Sequence, residues 1–418
     1  MNKIKVLFVP SDTAGVGHYR SIWPAQEIEK KFGDEFFVEI NMDFVSDINY
    51  YKQFDIIHFH RQLGPYEQMD SLIKELRKSG VTVIMDIDDY WVPPKTHPMY
   101  LAAMNEKLPE KITAAFKMSD YVTTTTDIFG RHIKKYNSNV EIIPNAIDLN
   151  HRMWKQVDTK KTDKLRISWI GGSSHLNDLE ILQPSMNILH NDESVKDKYQ
   201  IVMCGYDVRG YMTEIGPDGQ HVSSRKIHPS ETVWNRFEEI FTNNYNPKLI
   251  SEDYKKYLQK YANEEYSGGD IYSGSYIRRW TLPLTRYGEH YNYCDVCMAP
   301  LAENIFNEVK SELKIIEAGL TKKVLIAQDY SIYKELITNG ETGILINKKN
   351  NTRGWYEAIR FLINHPEKVK ELSENLYNFV VNRYTLEIVT KNRVDFYKKI
   401  MNDKKQKTHL VDSEQIVS

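Results

Sequence analysis

Short apolar runs alternate with longer amphipathic stretches through the first third of the chain. Ile4 to Val9 precedes Trp23 to Lys31, Phe37 to Ile40 and Ile56 to Phe59 follow, and Met69 to Lys78 leads into Val81 to Ile87. Brief apolar runs separated by stretches of helical period predict a parallel sheet with crossover helices. The alternation continues through Tyr121 to Thr124, a helical stretch from Asp127 to Lys135, and a strand from Glu141 to Ile143 that stops at Pro144-Asn145. The polar segment from Asp148 to Lys164 reads as a linker. A second opening strand, Leu165 to Ile170, then runs into Gly171-Gly172, a helical stretch and a further strand from Gln200 to Cys204. The pattern therefore restarts, and predicts two α/β domains, residues 1–147 and 148–385.

Between about 206 and 279 the alternation breaks into a polar, Tyr-rich stretch, too long for a structureless loop in a compact domain, so an insertion with its own helices is expected there. One helix is predicted from Glu252 to Glu265, with Tyr254, Tyr257 and Tyr261 at helical spacing. Strand and helix alternate again from Asp295, through Val324 to Ala327 and Gly343 to Ile346. Helices are predicted over 352–364, 366–383 and 386–401, and a flexible tail over 402–418.

Composition narrows the class. The 418 residues carry 55 Lys plus Arg against 57 Asp plus Glu, a net charge of −2, which removes any global electrostatic case for nucleic acid or anionic membrane. No apolar run reaches the roughly 18 residues of a membrane span, and the apolar part of the first ten residues is too short for a secretion signal. Three cysteines, Cys204, Cys294 and Cys297, make no disulfide framework and fit a reducing cytoplasm. Cys294 and Cys297 have redox-motif spacing, but the run after Asp295 reads as a buried strand rather than a strand-to-helix redox turn.

The stretch from Ala299 to Gly319 carries the most chemistry. It reads as a strand end, a loop and a helix capped by Asn307, with Val309, Leu313, Ile316 and Leu320 on one face and Lys310, Lys314 and Glu317 on the adjacent one. The helix N-terminus with Lys310 would hold a phosphate or pyrophosphate, and Glu317, two turns on, a ribose diol. The same residues also fit an amphipathic helix with merely solvated charges. Gly171-Gly172 after the second opening strand lets backbone approach a phosphate or sugar, or is only a turn.

Asp12 to Arg20, with Gly15 and Gly17, follows the first strand. A dinucleotide fingerprint would need another glycine at Arg20, which disfavours an NAD site. His58 and His60 share one side of a strand, but no carboxylate at matching spacing joins them, and no metal is predicted. Asp86, Asp88 and Asp89 crowd the carboxyl end of a buried strand, where α/β folds build sites.

In their order these motifs resemble the retaining nucleotide-sugar glycosyltransferases of the GT-B fold, family 4-like (glycosyl transferases group 1), in a divergent branch. The resemblance rests on Asp295-Val-x-x-Ala-Pro-Leu301, Asn307-x-x-Lys-Ser-x-Leu-Lys-x-x-Glu-Ala-Gly319 and the hinge Ile143-Pro-Asn-Ala-Ile-Asp148. It covers nearly the whole chain outside the insertion and tail. It implies two Rossmann-like domains facing across a cleft, the final helix near 386–401 crossing back to the first, and the donor on the second. Of the family's two helix glutamates, the second corresponds to Glu317. The first falls at Val309, which cannot bond a sugar hydroxyl and leaves that role to Asn307, Glu308 or backbone. Where the family has Gly-Arg and a following Lys, this chain has Ser173, Ser174 and His175.

The resemblance thus implies a metal-independent, retaining hexosyltransferase-type enzyme without a cofactor, using a nucleotide-diphosphate sugar of UDP or GDP type. Gly171, Gly172, Ser173, His175, Arg279, Lys310, Ser311 and Glu317 are the expected donor-side residues. Gly15, Gly17, His18, Arg20 and Asp88 are expected on the acceptor side, and Lys310, Asp88, Asp89 and His18 at the reacting centre. The acceptor stays open among a glycan, a lipid-linked hydroxyl, a protein and a nucleic-acid base. The expected location is the cytoplasm, peripheral to the membrane where the acceptor is a lipid. Other readings of the same residues are a nucleotide-sugar epimerase or hydrolase, transfer to a modified DNA base, and a non-catalytic nucleotide- or carbohydrate-binding protein.

Overall fold

A computed structural model describes residues 3–215, 222–246, 270–272 and 274–416, together with 252, 255, 256 and 259. The strands of the first part, β1 (Ile4–Val9), β2 (Phe36–Ile40), β3 (Ile56–His60), β4 (Thr82–Ile87), β5 (Tyr121–Thr124) and β6 (Val140–Ile142), form one sheet in the order β2-β1-β3-β4-β5-β6. Every pairing in it is parallel. Helices cover both faces of such a sheet, and accordingly β3 and β4 are buried at every position.

The second sheet contains β7 (Leu165–Ile170), β8 (Tyr199–Tyr206), β11 (Ile271–Tyr272), β12 (Tyr276–Trp280), β13 (Val296–Ala299), β14 (Val324–Gln328) and β15 (Ile344–Ile346), ordered β11-β12-β8-β7-β13-β14-β15. Only β11 runs antiparallel to its neighbour. Two parallel sheets in one chain give the predicted α/β architecture of two Rossmann-like units.

The chain passes between them at two adjoining points. Ile147 N–H donates to the Tyr384 carbonyl, and Leu386 N–H donates back to that of Ile147. The last helix, Leu386–Ile416, then packs on the helix Trp23–Phe32, and its Tyr397 and Arg393 reach His58 inside the first unit. That helix runs past 401, where a tail was expected, because Asn402-Asp-Lys-Lys-Gln-Lys407 contains no helix breaker and three lysines of good helix propensity.

Part of the stretch expected to be an insertion belongs to the second unit's core. A hairpin of β9 (Tyr211–Ile215) and β10 (Val222–Lys226) stands outside the sheet, but the helix Val233–Phe241 buries Trp234, Phe237, Ile240 and Phe241 in the second core. β12 is a full member of the sheet, disguised by two arginines. Alternation sends them to opposite faces: Arg278 lies over the Tyr206 ring at 4.0 Å beside Glu238, and Arg279 pairs with Asp270 at 2.5 Å. Tyr254, Tyr257 and Tyr261, and most of the helix expected from Glu252 to Glu265, lie outside the described residues.

Candidate functional site

A cavity of about 700 Å³ lies between the carboxyl ends of the two sheets. The first unit contributes Thr13 to Val16 after β1, Asp88 and Asp89 after β4, and Asn145 after β6; the second contributes Trp169, His175, Met298 to Leu301, Lys310, Ser311, Lys314 and Glu317.

The helix expected from Asn307 is two helices. Ile305–Glu308 is capped by Asn304, whose side chain accepts from Asn307 N–H at 2.9 Å, and Leu313–Leu320 begins after a break. Lys310 and Ser311 therefore stand in the loop leading into the second helix, beside its unpaired N–H groups, rather than within a first turn. The break has a packing cause. Val309 is fully buried in the core of the first unit, so the loop plugs across the cleft and cannot continue the helix axis. Asn307 is buried too, donating to Asp178 Oδ1 at 2.8 Å, and is committed to holding the loop after β13.

On the second wall, Glu317 is 1% exposed and accepts from Lys314 Nζ at 2.8 Å, Tyr291 OH at 2.6 Å and Tyr287 OH at 3.2 Å. Burial works against the Lys314 charge, but the Glu317 carboxylate outweighs it and holds the ammonium well above its ordinary pKa. Glu312, at the start of the same helix, is also buried. Its Oε1 accepts the Asn145 N–H at 2.6 Å, its Oε2 has no partner, and burial pushes its carboxyl up to about 7.

On the first wall, Asp88 accepts from Arg61 at 2.9 Å and contacts His60 Nε2 at 3.1 Å. Burial alone would raise its pKa, yet the Arg61 guanidinium and His60 hold it below the usual carboxylate range. Asp89 reaches across the cleft to Lys310 Nζ at 3.0 Å. Behind both lies a buried ion pair, with Arg20 Nε and NH2 at 2.9 and 2.8 Å from the two oxygens of Asp86.

Several expected residues stand elsewhere. Arg20 is not an acceptor contact, since its guanidinium is consumed by Asp86, Ile143 O and Asn145 Oδ1 inside the core. Arg279, expected on the donor side, is not on the cavity lining, because Asp270, Tyr272 and the Tyr293 ring hold it elsewhere. His18 is turned onto Ala14 O at 2.9 Å and the Trp23 ring, away from the reacting centre. Gly17 serves close packing, as a Cβ there would sit 1.8 Å from Asp12 O. Gly15 does line the cavity. Gly171 is pressed on the Trp169 ring, and Gly172 and the exposed Ser173 stand outside the lining, leaving His175, bonded to Asp178 at 2.7 Å, as that loop's contribution.

His58 is bonded to Tyr397 and Thr123, and burial lowers its pKa to about 4. Among the described residues, no group of three or more His, Cys, Asp or Glu is arranged to hold a metal ion. Lining residues that the sequence did not point to are Tyr287, Trp169 and Asn145, with Glu312 buried beside Asn145. Lys314 had a readable signal, three positions before Glu317 on its face.

The profile of the family described as Glycosyl transferases group 1 matches residues 268–365. Sucrose-phosphate synthase from Thermosynechococcus elongatus superposes with a TM-score of 0.60 at 11% identity, covering 96% of this chain and 100% of that one. The chain has the GT-B fold and resembles the group 1 glycosyl transferases. A glycosyltransferase from Rickettsia africae is similar at TM-score 0.58 and 13% identity, with 96% and 99% of the two chains covered. HepE from Anabaena, solved in complex with UDP, gives 0.55 and 11%, with 95% and 100% covered. No curated protein matches the chain by sequence. Among the described residues no helix is long and apolar enough to cross a membrane.

Proposed function

We propose that this GT-B chain is a glycosyltransferase that moves a sugar from a nucleotide diphosphate to an acceptor hydroxyl, with retention and without a metal ion. One observation carries the reading: Lys310, Lys314 and Glu317 converge with the N-terminus of the helix Leu313–Leu320 on one interdomain cavity. Two ammonium groups and a helix N-terminus fit a diphosphate whose charge grows as it departs, and stabilisation there lowers the barrier. Glu317, already an acceptor of three hydrogen bonds, fits the ribose diol. HepE, of the same fold, was solved with UDP-glucose, which favours a uridine donor.

In the reaction the acceptor oxygen bonds to the anomeric carbon as the bond to the diphosphate oxygen breaks. The electron pair leaves with the diphosphate, and the hydroxyl proton passes to that departing oxygen on the same face. In this reading Asp89, on the cavity lining opposite Lys310, orients the hydroxyl.

The test is a thermal-shift and nucleotide-release screen of UDP-, GDP-, ADP- and dTDP-sugars. One donor should stabilise the chain and be slowly hydrolysed. Lys310→Ala should lower that turnover by about a hundredfold, as expected for one lost charge contact to the transition state, and Glu317→Ala should weaken donor binding. A wild-type chain that no nucleotide sugar stabilises sinks the assignment.

A further inference from the structure

A second cavity of about 230 Å³ adjoins the cleft in the first unit, lined in part by Tyr90, Trp91, His97, Met99 and Phe306. Asp89 lines both cavities, and Lys310 Nζ, a lining group of the first, sits 4.5 Å from the centroid of Phe306, a wall of the second. The Asp89–Lys310 pair is thus the partition between them. A diphosphate that draws Lys310 to itself frees Asp89 on the side of the small cavity.

The walls say what fits. Ile87, Trp91, Leu108, Ile112 and Phe306 offer hydrocarbon and ring faces, and Tyr90 and Trp91 lie with centroids 4.7 Å apart. The aliphatic walls Ile87, Leu108 and Ile112 offer no partner to the hydroxyl rim of a pyranose, whereas an apolar cavity of about 150 Å³ already admits a benzene ring. The polar groups on the lining are Asp89, His97, the Tyr90 hydroxyl and Arg61, whose Nε–H is buried and without a partner. Arg61 is held at a φ of 63°, a left-handed conformation that a long side chain adopts at a cost and that is more frequent at functional sites. Met99, 59% exposed, lies on the same cavity, so an entering group meets an apolar edge first.

We propose that this cavity is the acceptor subsite and that it takes a flat, apolar ring, so that the acceptor is a hydroxyl compound bearing an aryl group, its hydroxyl beside Asp89. The inference rests on the transferase reading above. Donor occupancy favours acceptor binding, because it draws Lys310 away from Asp89.

The test measures binding of phenyl β-glucoside, octyl β-glucoside and methyl β-glucoside to the full chain by calorimetry, with and without saturating UDP, and donor hydrolysis in a separate assay. Phenyl β-glucoside should bind at least tenfold more tightly than the methyl compound, and up to about fivefold more tightly again when UDP is present. Ala103→Phe, which fills the cavity from its wall, should abolish that preference. Should this variant not fold, Met99→Glu at the rim should reduce the preference severalfold. A preference for the octyl chain, or no preference at all, overturns the aryl subsite while donor hydrolysis leaves the transferase reading standing. Absent donor hydrolysis and absent UDP binding overturn both.

Discussion

The two walls of the cleft carry opposite charge, and each buries the complement of what it shows. The first wall presents Asp88 and Asp89 and keeps Arg61, His60 and Arg20 behind them; the second presents Lys310 and Lys314 and keeps Glu317 behind. A surface charge backed by its counter-ion stays ionised and fixed in direction without a partner from solvent, which is how a site is organised before its ligand arrives. The walls differ in completeness. On the first, Asp86 is met on both oxygens by Arg20, and Thr123 donates to it at 2.5 Å. On the second, Glu312 has one oxygen unpaired. The Arg20–Asp86 pair behind the first wall is thus closed on both carboxylate oxygens, whereas Glu312 behind the second is short of one partner at the hinge.

The largest expected effect comes from unlocking the first wall. Arg20→Met strands the Asp86 charge in the core, and removal of one partner of a buried pair costs roughly 3–5 kcal/mol. Denaturant melts should show that loss. Changing Asp86 as well, to Leu, should restore much of it, because a buried pair exchanged for apolar groups is often close to neutral. A double variant as unstable as the single one contradicts the ion pair as the origin.

The second wall should respond with the opposite sign. Glu312 titrates near 7 in the folded chain against 4.5 for the free group, so between those values the folded chain keeps a proton that the unfolded chain has released. Stability therefore falls as pH rises through this window, by about 3 kcal/mol in all, and levels off above it. Glu312→Gln retains an oxygen for the Asn145 N–H and removes the titration. It should match the wild type near pH 4 and exceed it in stability at pH 8. Parallel stability curves for the two proteins across that range would place the titration elsewhere.

Much of this architecture was legible beforehand because burial on both faces leaves apolar runs that need no partner to be recognised. β3, β4, β13 and β14 are of that kind, and so was the restart of the pattern at Leu165. β12 was not, because Arg278 and Arg279 are buried by pairing with carboxylates outside the strand, Glu238 and Asp270, which hydropathy does not register. In the site, Lys310, Glu317 and Asp89 could be read from their motif positions. Arg20 and Arg279 misled for one shared reason: a cation near a glycine-rich loop or strand end looks available until its carboxylate partner, 66 residues away for Arg20 and 9 for Arg279, is located in space. The loop break at Val309 was hidden as well, since its cause is a pocket in the other unit.

The smallest expected effect tests the contact that joins the walls. Asp89 and Lys310 are both partly exposed, with side chains 38% and 21% accessible, and such a pair is worth about 0–1 kcal/mol. A donor diphosphate must compete with Asp89 for Lys310. Asp89→Asn should therefore tighten donor binding, by at most about fivefold, while transfer to an acceptor falls because the carboxylate that orients its hydroxyl is gone. Affinity and turnover would move in opposite directions, which a general loosening of the site would not produce. Calorimetry with UDP at low and high salt checks the first half, and the gain should shrink at high salt as screening weakens the pair in the wild type. Donor binding weakened by Asp89→Asn would mean that Asp89 positions Lys310 for the diphosphate rather than withholding it, and the two walls would then cooperate in the empty cleft instead of neutralising each other.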